Sequence, residues 1–104
     1  MAVLIAGYYN LGRNLRVWRN WIANNGPILT RLDGESNWMN TTGNLDAYAA
    51  RSAGGGHTVS IVGCTPDRLI VRNSWDKTWG DKWFAYASNQ YAAAAFTEAY
   101  GITL

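Results

Sequence analysis

The sequence is poor in the residues that form cross-links and metal sites. Its 104 residues include one cysteine, Cys64, one histidine, His57, and only two prolines. A single cysteine excludes a disulfide within the chain. One histidine and one cysteine are also too few for a four-ligand structural zinc site. We therefore expect neither a metal nor a cofactor.

Charged residues and long apolar runs are also scarce. Charged residues make up 15% of the chain and the formal net charge is +2. Arg13, Arg16 and Arg19 could form a basic stripe, but a nucleic-acid-binding domain usually has a stronger basic excess with interleaved aromatics. The stripe better fits the solvated face of a helix. No apolar run approaches the roughly 20 residues that a membrane-spanning helix needs, so we expect no nucleic-acid or membrane partner.

Aromatic residues are what the chain has in excess. Six tryptophans and six tyrosines occur in 104 residues, and the hydrophobic share is 48%. This size and composition predict a single globular domain over residues 1–104. Aromatic side chains in such number either fill a core or form a surface that binds other molecules.

One segment has the pattern of a helix. Apolar residues recur every three to four positions from Leu11 to Ile22, with polar residues between them. Asn25-Gly26-Pro27 follows, with glycine suited to the left-handed position after a helix and proline unable to continue it. The sequence predicts a helix over Leu11–Asn24.

Short runs rich in β-branched residues predict strands around this helix. Strands are expected over Val3–Asn10, Pro27–Asp33, His57–Cys64, Arg68–Ser74, Lys82–Ala87 and Gly101–Leu104, with helical turns near Trp38 and Tyr48 and a helix over Asn89–Ala99. Thr65-Pro66-Asp67 joins the two middle runs as a hairpin. The result is an α+β domain in which one main helix packs on a twisted antiparallel sheet or partial β-barrel.

Several motifs in this order resemble those of one enzyme family. They are Gly56-His57-Thr58-Val59, Val62-Gly63, Asn73-Ser74-Trp75 and Trp79-Gly80. Their order and spacing are similar to the His-Ala-Val, Val-Gly-Tyr, Asn-Ser-Trp-Gly and Trp-Gly motifs of papain-like (C1) cysteine peptidases. The resemblance runs from about Trp18 to Tyr86. It implies the half of that fold that carries the histidine and the asparagine.

The resemblance implies a role for four residues. His57 matches the imidazole that acts as general acid and base beside a cysteine thiolate. Asn73 matches the asparagine whose side-chain oxygen orients that imidazole. Trp75 matches the indole that shields this hydrogen bond, and Trp79 matches an aromatic residue of the cleft. An ideal two-stranded ladder would put His57 and Asn73 on opposite faces, so their contact requires twist or a bulge.

The nucleophile of the family is missing from this sequence. The Cys-Gly-Ser-Cys-Trp segment is absent, and Cys64 lies seven residues beyond His57 on the same predicted strand. That separation is about 23 Å, and an odd number of residues predicts opposite faces of the strand. Cys64 is therefore expected to be a small buried apolar residue. The isolated chain is not expected to be an enzyme.

Two family glycines are also replaced beside the implied site. Asp76 stands for one and Trp83 for the other, and Gly80 argues that the tryptophans around it are not on a helix. At least one of these indoles is expected to be exposed, with charged residues around it, as in a protein-binding site. The expected protein-binding residues are Asp76, Lys77, Trp79 and Trp83.

Three functions remain open at this point. The first, which the replaced glycines favour, is a catalytically inactive half-domain, natural or engineered, that binds another protein through the former active-site face. The second is half of a cysteine endopeptidase that acts only with a cysteine-bearing partner half. The third is a weak hydrolase that uses His57 and water. An exposed apolar face could also make the chain self-associate.

Overall fold

Strands and short helices alternate in a computed structural model that describes residues 7–75 and 77–103. The elements are β1 (Gly7–Asn10), α1 (Leu15–Asn24), β2 (Ile28–Asp33), α2 (Ser36–Asn40), β3 (Asn44–Leu45), a 3-10 turn (Ala50–Ser52), β4 (Gly56–Cys64), β5 (Arg68–Arg72), β6 (Phe84–Ser88), α3 (Asn89–Ala95) and β7 (Phe96–Thr103). Parts of two predicted strands, Val3–Ala6 and Leu104, lie outside the described residues.

The seven strands form one sheet in the order β1-β7-β2-β4-β5-β6-β3. Paired neighbours are antiparallel, except that β3 runs parallel to β6. The predicted hairpin of β4 and β5 lies inside the sheet, with β2 on one side and β6 on the other. The predicted α+β class with a mainly antiparallel sheet is confirmed.

Helix α1 packs against β2 and β4, as predicted. It begins at Leu15 rather than Leu11, because Asn14 is extended and its side chain accepts a hydrogen bond from the Arg16 amide at 2.9 Å. Such a cap satisfies a backbone amide that the first turn leaves without a partner. Trp18 is fully buried on the sheet side of the helix.

The C-terminal segment departs most from the prediction. The helix expected over Asn89–Ala99 ends at Ala95, and β7 then runs from Phe96 to Thr103 between β1 and β2. The alanine-rich run is helical, in keeping with its preference, but pairing with two strands and burial of Phe96 keep the helix from continuing beyond it. Gly101 leaves room for Trp21, because a Cβ there would lie 2.2 Å from the indole ring.

The core lies on one face of the sheet. Buried residues alternate along the middle strands and are joined by large side chains from the helices: Ile28, Leu32, Val59, Ile61, Leu69, Val71, Ala85 and Ala87 from strands, with Trp18, Trp38 and Tyr91 from helices. Alternation of this kind is expected when one face of a sheet is packed and the other meets solvent. Among the described helices, none is long and apolar enough to span a membrane.

Candidate active site

One hydrogen bond joins the two residues that the motifs single out. Nε2 of His57 lies 2.8 Å from Oδ1 of Asn73. An amide oxygen can only accept, so Nε2 carries the proton, and Nδ1 of the neutral ring is an unprotonated acceptor. Asn73 is fully buried and His57 is half-buried. The imidazole is thus fixed from the protein side, while part of its ring meets solvent.

A bulge in β4 is what brings these side chains together. The β4–β5 register shifts by one residue between Ile61 and Gly63, so that Val62 is extra in β4. A shift of one residue exchanges the two faces of a strand. Val62 therefore turns the predicted opposite placement of His57 and Asn73 into placement on one face. Contact between His57 and Asn73 was expected to need twist or a bulge, and the structure shows a bulge.

Two indoles lie against the imidazole, and a third packs on both of them. The ring centroid of Trp75 lies 4.7 Å from that of His57, and the centroid of Trp38 lies 6.1 Å away. Trp79 packs on Trp38 with centroids 4.6 Å apart, and its Nε1 donates to the Trp38 carbonyl oxygen at 2.8 Å. Trp75 is 38% exposed, whereas Trp79 is only 7% exposed. Trp75 therefore covers the site from outside, and Trp79 lies behind it.

Trp38 is a site residue that sequence reasoning missed. The sequence predicted only a helical turn near it, within a polar and irregular stretch. A large apolar side chain in such a stretch was the available signal, because burial of an indole stabilises the folded chain by roughly several kcal/mol. The structure places it at the centre of the aromatic group, in contact with Trp75 as well as His57.

The loop before β6 supports Asn73 from its main chain. The Asn73 amide donates to the Trp83 carbonyl oxygen at 2.9 Å. Trp83 and Lys82 both have positive φ, of 74° and 46°. These are conformations that favour glycine, and they explain why β6 begins at Phe84 rather than at Lys82 as predicted.

The four expected protein-binding residues fall in different environments. Trp83 is 37% exposed and Lys77 is exposed, so both lie on the surface. Trp79 is buried among the other indoles and cannot offer its face to another protein without rearrangement. Asp76 lies outside the described residues.

Cys64 lies at the far end of the strand that carries His57. It pairs with Leu69 and packs against the core. The bulge at Val62 lies between Cys64 and His57, so the predicted opposite faces are wrong and the register puts both on one face. Seven residues of strand still separate them by about 23 Å. Cys64 therefore cannot exchange a proton with His57.

A buried carboxylate, also missed from the sequence, accepts a hydrogen bond from the Trp38 amide. Glu35 is 1% exposed and accepts four hydrogen bonds, one of them from the Tyr91 hydroxyl. Burial acts to raise the pKa of Glu35, but the hydrogen bonds outweigh it and the pKa falls below its usual value. Burial, followed by the bond to Glu35, raises the pKa of Tyr91. Within residues 7–75 and 77–103, no cluster of three His, Cys, Asp or Glu side chains could hold a metal ion.

Comparisons with known proteins relate the chain to one family. A model described as papain family cysteine protease matches residues 1–102. A cathepsin B-like cysteine proteinase of Schistosoma japonicum is 27% identical over an alignment of 78 residues, and the match covers 71% of this chain and 23% of that protein. The chain therefore spans less than a quarter of this curated relative.

Solved structures of cysteine proteases share the fold. Xylellain, from Xylella fastidiosa, superposes with a TM-score of 0.83 at 17% identity, over 95% of this chain and 40% of that one. The Carica candamarcensis protease CMS1MS2 gives 0.77 at 18% identity, over 99% and 51%. Procathepsin L 3 of the Tenebrio molitor larval midgut gives 0.75 at 20% identity, over 99% and 36%.

Proposed function

This chain belongs to the papain family of cysteine proteases, and we propose that it supplies the histidine and the asparagine of a thiol-dependent peptidase site. The cysteine of that site is carried by a partner half outside this sequence. The observation that carries the proposal is the 2.8 Å hydrogen bond between His57 Nε2 and Asn73 Oδ1. It holds the imidazole in the tautomer that leaves Nδ1 able to accept a proton.

The chemistry follows from that tautomer. A free cysteine thiol has a pKa of about 8.5, and only its thiolate is a strong nucleophile. Nδ1 of His57 takes the thiol proton, and the imidazolium is stabilised by the Asn73 oxygen and by the π-system of Trp75, whose ring centroid lies 4.7 Å from that of His57. The thiolate attacks the peptide carbonyl carbon, and Nδ1 returns the proton to the leaving amine. Water then releases the acyl group, with Nδ1 again as base.

The isolated chain has no nucleophile for this reaction. Cys64 packs against the core at the far end of β4 and is out of reach of His57. We propose that the chain alone is inactive and that its partner is a protein, with neither nucleic acid nor membrane involved. The partner half covers the face that carries His57 and Trp75. Without a partner, this face is the surface through which the chain would self-associate.

A second candidate is a protein-binding module without catalysis. The exposed indoles of Trp75 and Trp83, with Lys77 on the surface beside them in sequence, favour it. An intact His57–Asn73 pair has no use in such a module, so this candidate ranks second. The two differ in whether a cysteine placed beside His57 becomes reactive.

A hybrid enzyme tests the proposed function. The cysteine-bearing half of the Schistosoma japonicum proteinase is joined to this chain in place of its own histidine-bearing half. The proposal predicts hydrolysis of a fluorogenic peptide that iodoacetamide blocks, that His57→Ala abolishes and that Cys64→Ser leaves unchanged. A folded hybrid without such turnover, whose cysteine is alkylated no faster at pH 6 than a free thiol, contradicts it.

A further inference from the structure

The contacts of Glu35 tie together three segments of the chain. Its Oε1 accepts from the Trp38 amide at 2.7 Å and from the Tyr91 hydroxyl at 2.5 Å. Its Oε2 accepts from the Asn37 amide at 3.0 Å and from the Ala49 amide at 2.9 Å. The carboxylate therefore joins α2, the loop after β3 and α3. Four donors converge on it, which is the arrangement that an ionised, acceptor-only group satisfies.

Helix α2 depends on this carboxylate for its place. It has five residues, Ser36–Asn40, and Glu35 is its N-cap. A helix of one turn is unstable by itself in water, so its position is set by its caps and its packing. Trp38 is its only buried residue. The main chain of Trp38 is held at both ends, since its amide binds Glu35 and its carbonyl accepts from Trp79.

The indole of Trp38 forms one wall of the histidine site. Its ring lies edge-on to His57 at 6.1 Å and to Trp75 at 6.2 Å. Its Nε1 has no hydrogen-bond partner among the described residues. The direction of this indole is therefore determined by its main chain and by packing. Movement of α2 would move the wall against which the imidazole and Trp75 rest.

We propose that Glu35 is a positioning residue for His57, acting through Trp38. This inference rests on the proposed function, because orientation of the imidazole matters for catalysis only there. The negative charge of Glu35 holds the amides of α2, α2 holds the indole, and the indole limits rotation of the imidazole away from Asn73. In Glu35→Gln, one acceptor oxygen becomes a donor that faces an amide or the Tyr91 hydroxyl, and this network breaks.

The test uses the isolated chain, in which His57 is the one histidine and its ring signals need no assignment. In 15N NMR of Glu35→Gln, we expect the His57 ring shifts to move and the Nε2 proton to exchange with water roughly tenfold faster. Tyr91→Phe, which removes one donor to Glu35, is expected to shift the same signals in the same direction by less.

The matched control is Ile28→Val. Ile28 is buried and pairs with Ile61 on β4, whereas Leu32 is the residue of β2 that pairs with His57. Loss of one methyl group there lowers stability without touching the site. His57 signals that stay unchanged in folded Glu35→Gln, or that change as much in Ile28→Val, overturn the proposal. If Glu35→Gln does not fold, unchanged signals in Tyr91→Phe overturn it. An inactive hybrid enzyme would alter none of these signals, so the two proposals fail separately.

Discussion

His57 and Asn73, 16 residues apart in the chain, share a hydrogen bond because β4 contains one residue more than β5 at Val62. The extra residue reverses the alternation of side chains along β4, so that the residues before Val62 and those after it follow opposite patterns in facing the core. It therefore sets both the approach of the histidine to the asparagine and the face on which Cys64 lies. A bulge next to an active site, where it redirects a side chain, is a recurring use of this irregularity.

The isolated chain is expected to hydrolyse no peptide. Cys64 is separated from His57 by about 23 Å of strand, and no other cysteine is present. The measurement is turnover of a fluorogenic peptide under reducing conditions, compared with buffer alone. Inhibitor-sensitive turnover that both Cys64→Ser and His57→Ala remove would show this expectation to be wrong.

The loop that supports Asn73 is expected to respond oppositely to two substitutions. In Gly80→Ala, a Cβ would lie 2.5 Å from the Phe84 carbonyl oxygen at a residue with φ of 62°, so the free energy of unfolding falls by more than about 1 kcal/mol. In Lys82→Gly, relief of positive φ at an exposed residue leaves that free energy unchanged or raises it by up to about 1 kcal/mol. Urea denaturation measures both. Equal losses in the two variants would contradict the account of this loop.

Acid is expected to weaken the fold partly through Glu35. The pKa of its carboxyl is lower in the folded chain than its usual value, which is about 4.3 in an unfolded chain. The stability that it contributes is therefore present above about pH 4.3 and is lost as the pH falls through the lower, folded pKa.

The check on Glu35 compares unfolding of the original chain and Glu35→Gln from pH 7 down to pH 3. The variant is expected to be less stable at pH 7 by roughly 1.5–3 kcal/mol, as for hydrogen bonds to a charged group. This difference in the free energy of unfolding should shrink as the pH falls to 3, because Glu35 becomes protonated in the original chain and loses its negative charge. A difference in the free energy of unfolding that stays constant from pH 7 to pH 3 would show that it does not come from the ionised carboxylate of Glu35.

Trp83 is expected to contribute to partner binding. An indole at the centre of an interface commonly contributes 2 kcal/mol or more, so Trp83→Ala should weaken binding roughly thirtyfold or more. Lys77→Ala should cost much less and act mainly on the association rate. Affinity for the cysteine-bearing half used in the hybrid, supplied as a separate polypeptide, is the measurement. A large fall in melting temperature with unchanged affinity would leave only a packing role for Trp83.

Much of the fold follows from local patterns in the sequence. The helical period placed Trp18 in the core, and the β-branched runs with a proline turn placed the β4–β5 hairpin. The extent of β7 did not follow, because the alanine-rich run that precedes it favours a helix, and only pairing with β1 and β2 makes the chain change to a strand at Phe96. Glu35 and Trp38 could not be found either. They lie in a polar stretch without a period, and contacts far along the chain, to Tyr91 and Trp79, determine their role.

The order of the candidate functions changes once the site is seen. The replaced glycines favoured a binding module, since an aspartate and a tryptophan at turn positions are unusual beside a working site. Trp83 adopts the positive φ of such a glycine position, however, and its carbonyl still accepts from Asn73. The replacement is thus compatible with a supported asparagine, which favours the peptidase half.

The tautomer of His57 in the neutral chain tests the central claim most directly, because the proposed chemistry needs Nε2 protonated and Nδ1 free. With one histidine in the chain, its two ring nitrogens can be read by 15N NMR in the neutral imidazole. The account predicts the Nε2–H tautomer, with a proton that exchanges slowly with water and is lost to fast exchange in Asn73→Ala but not in Ile28→Val. The Nδ1–H tautomer would contradict the account, and so would an Nε2 proton whose exchange with water is no faster in Asn73→Ala.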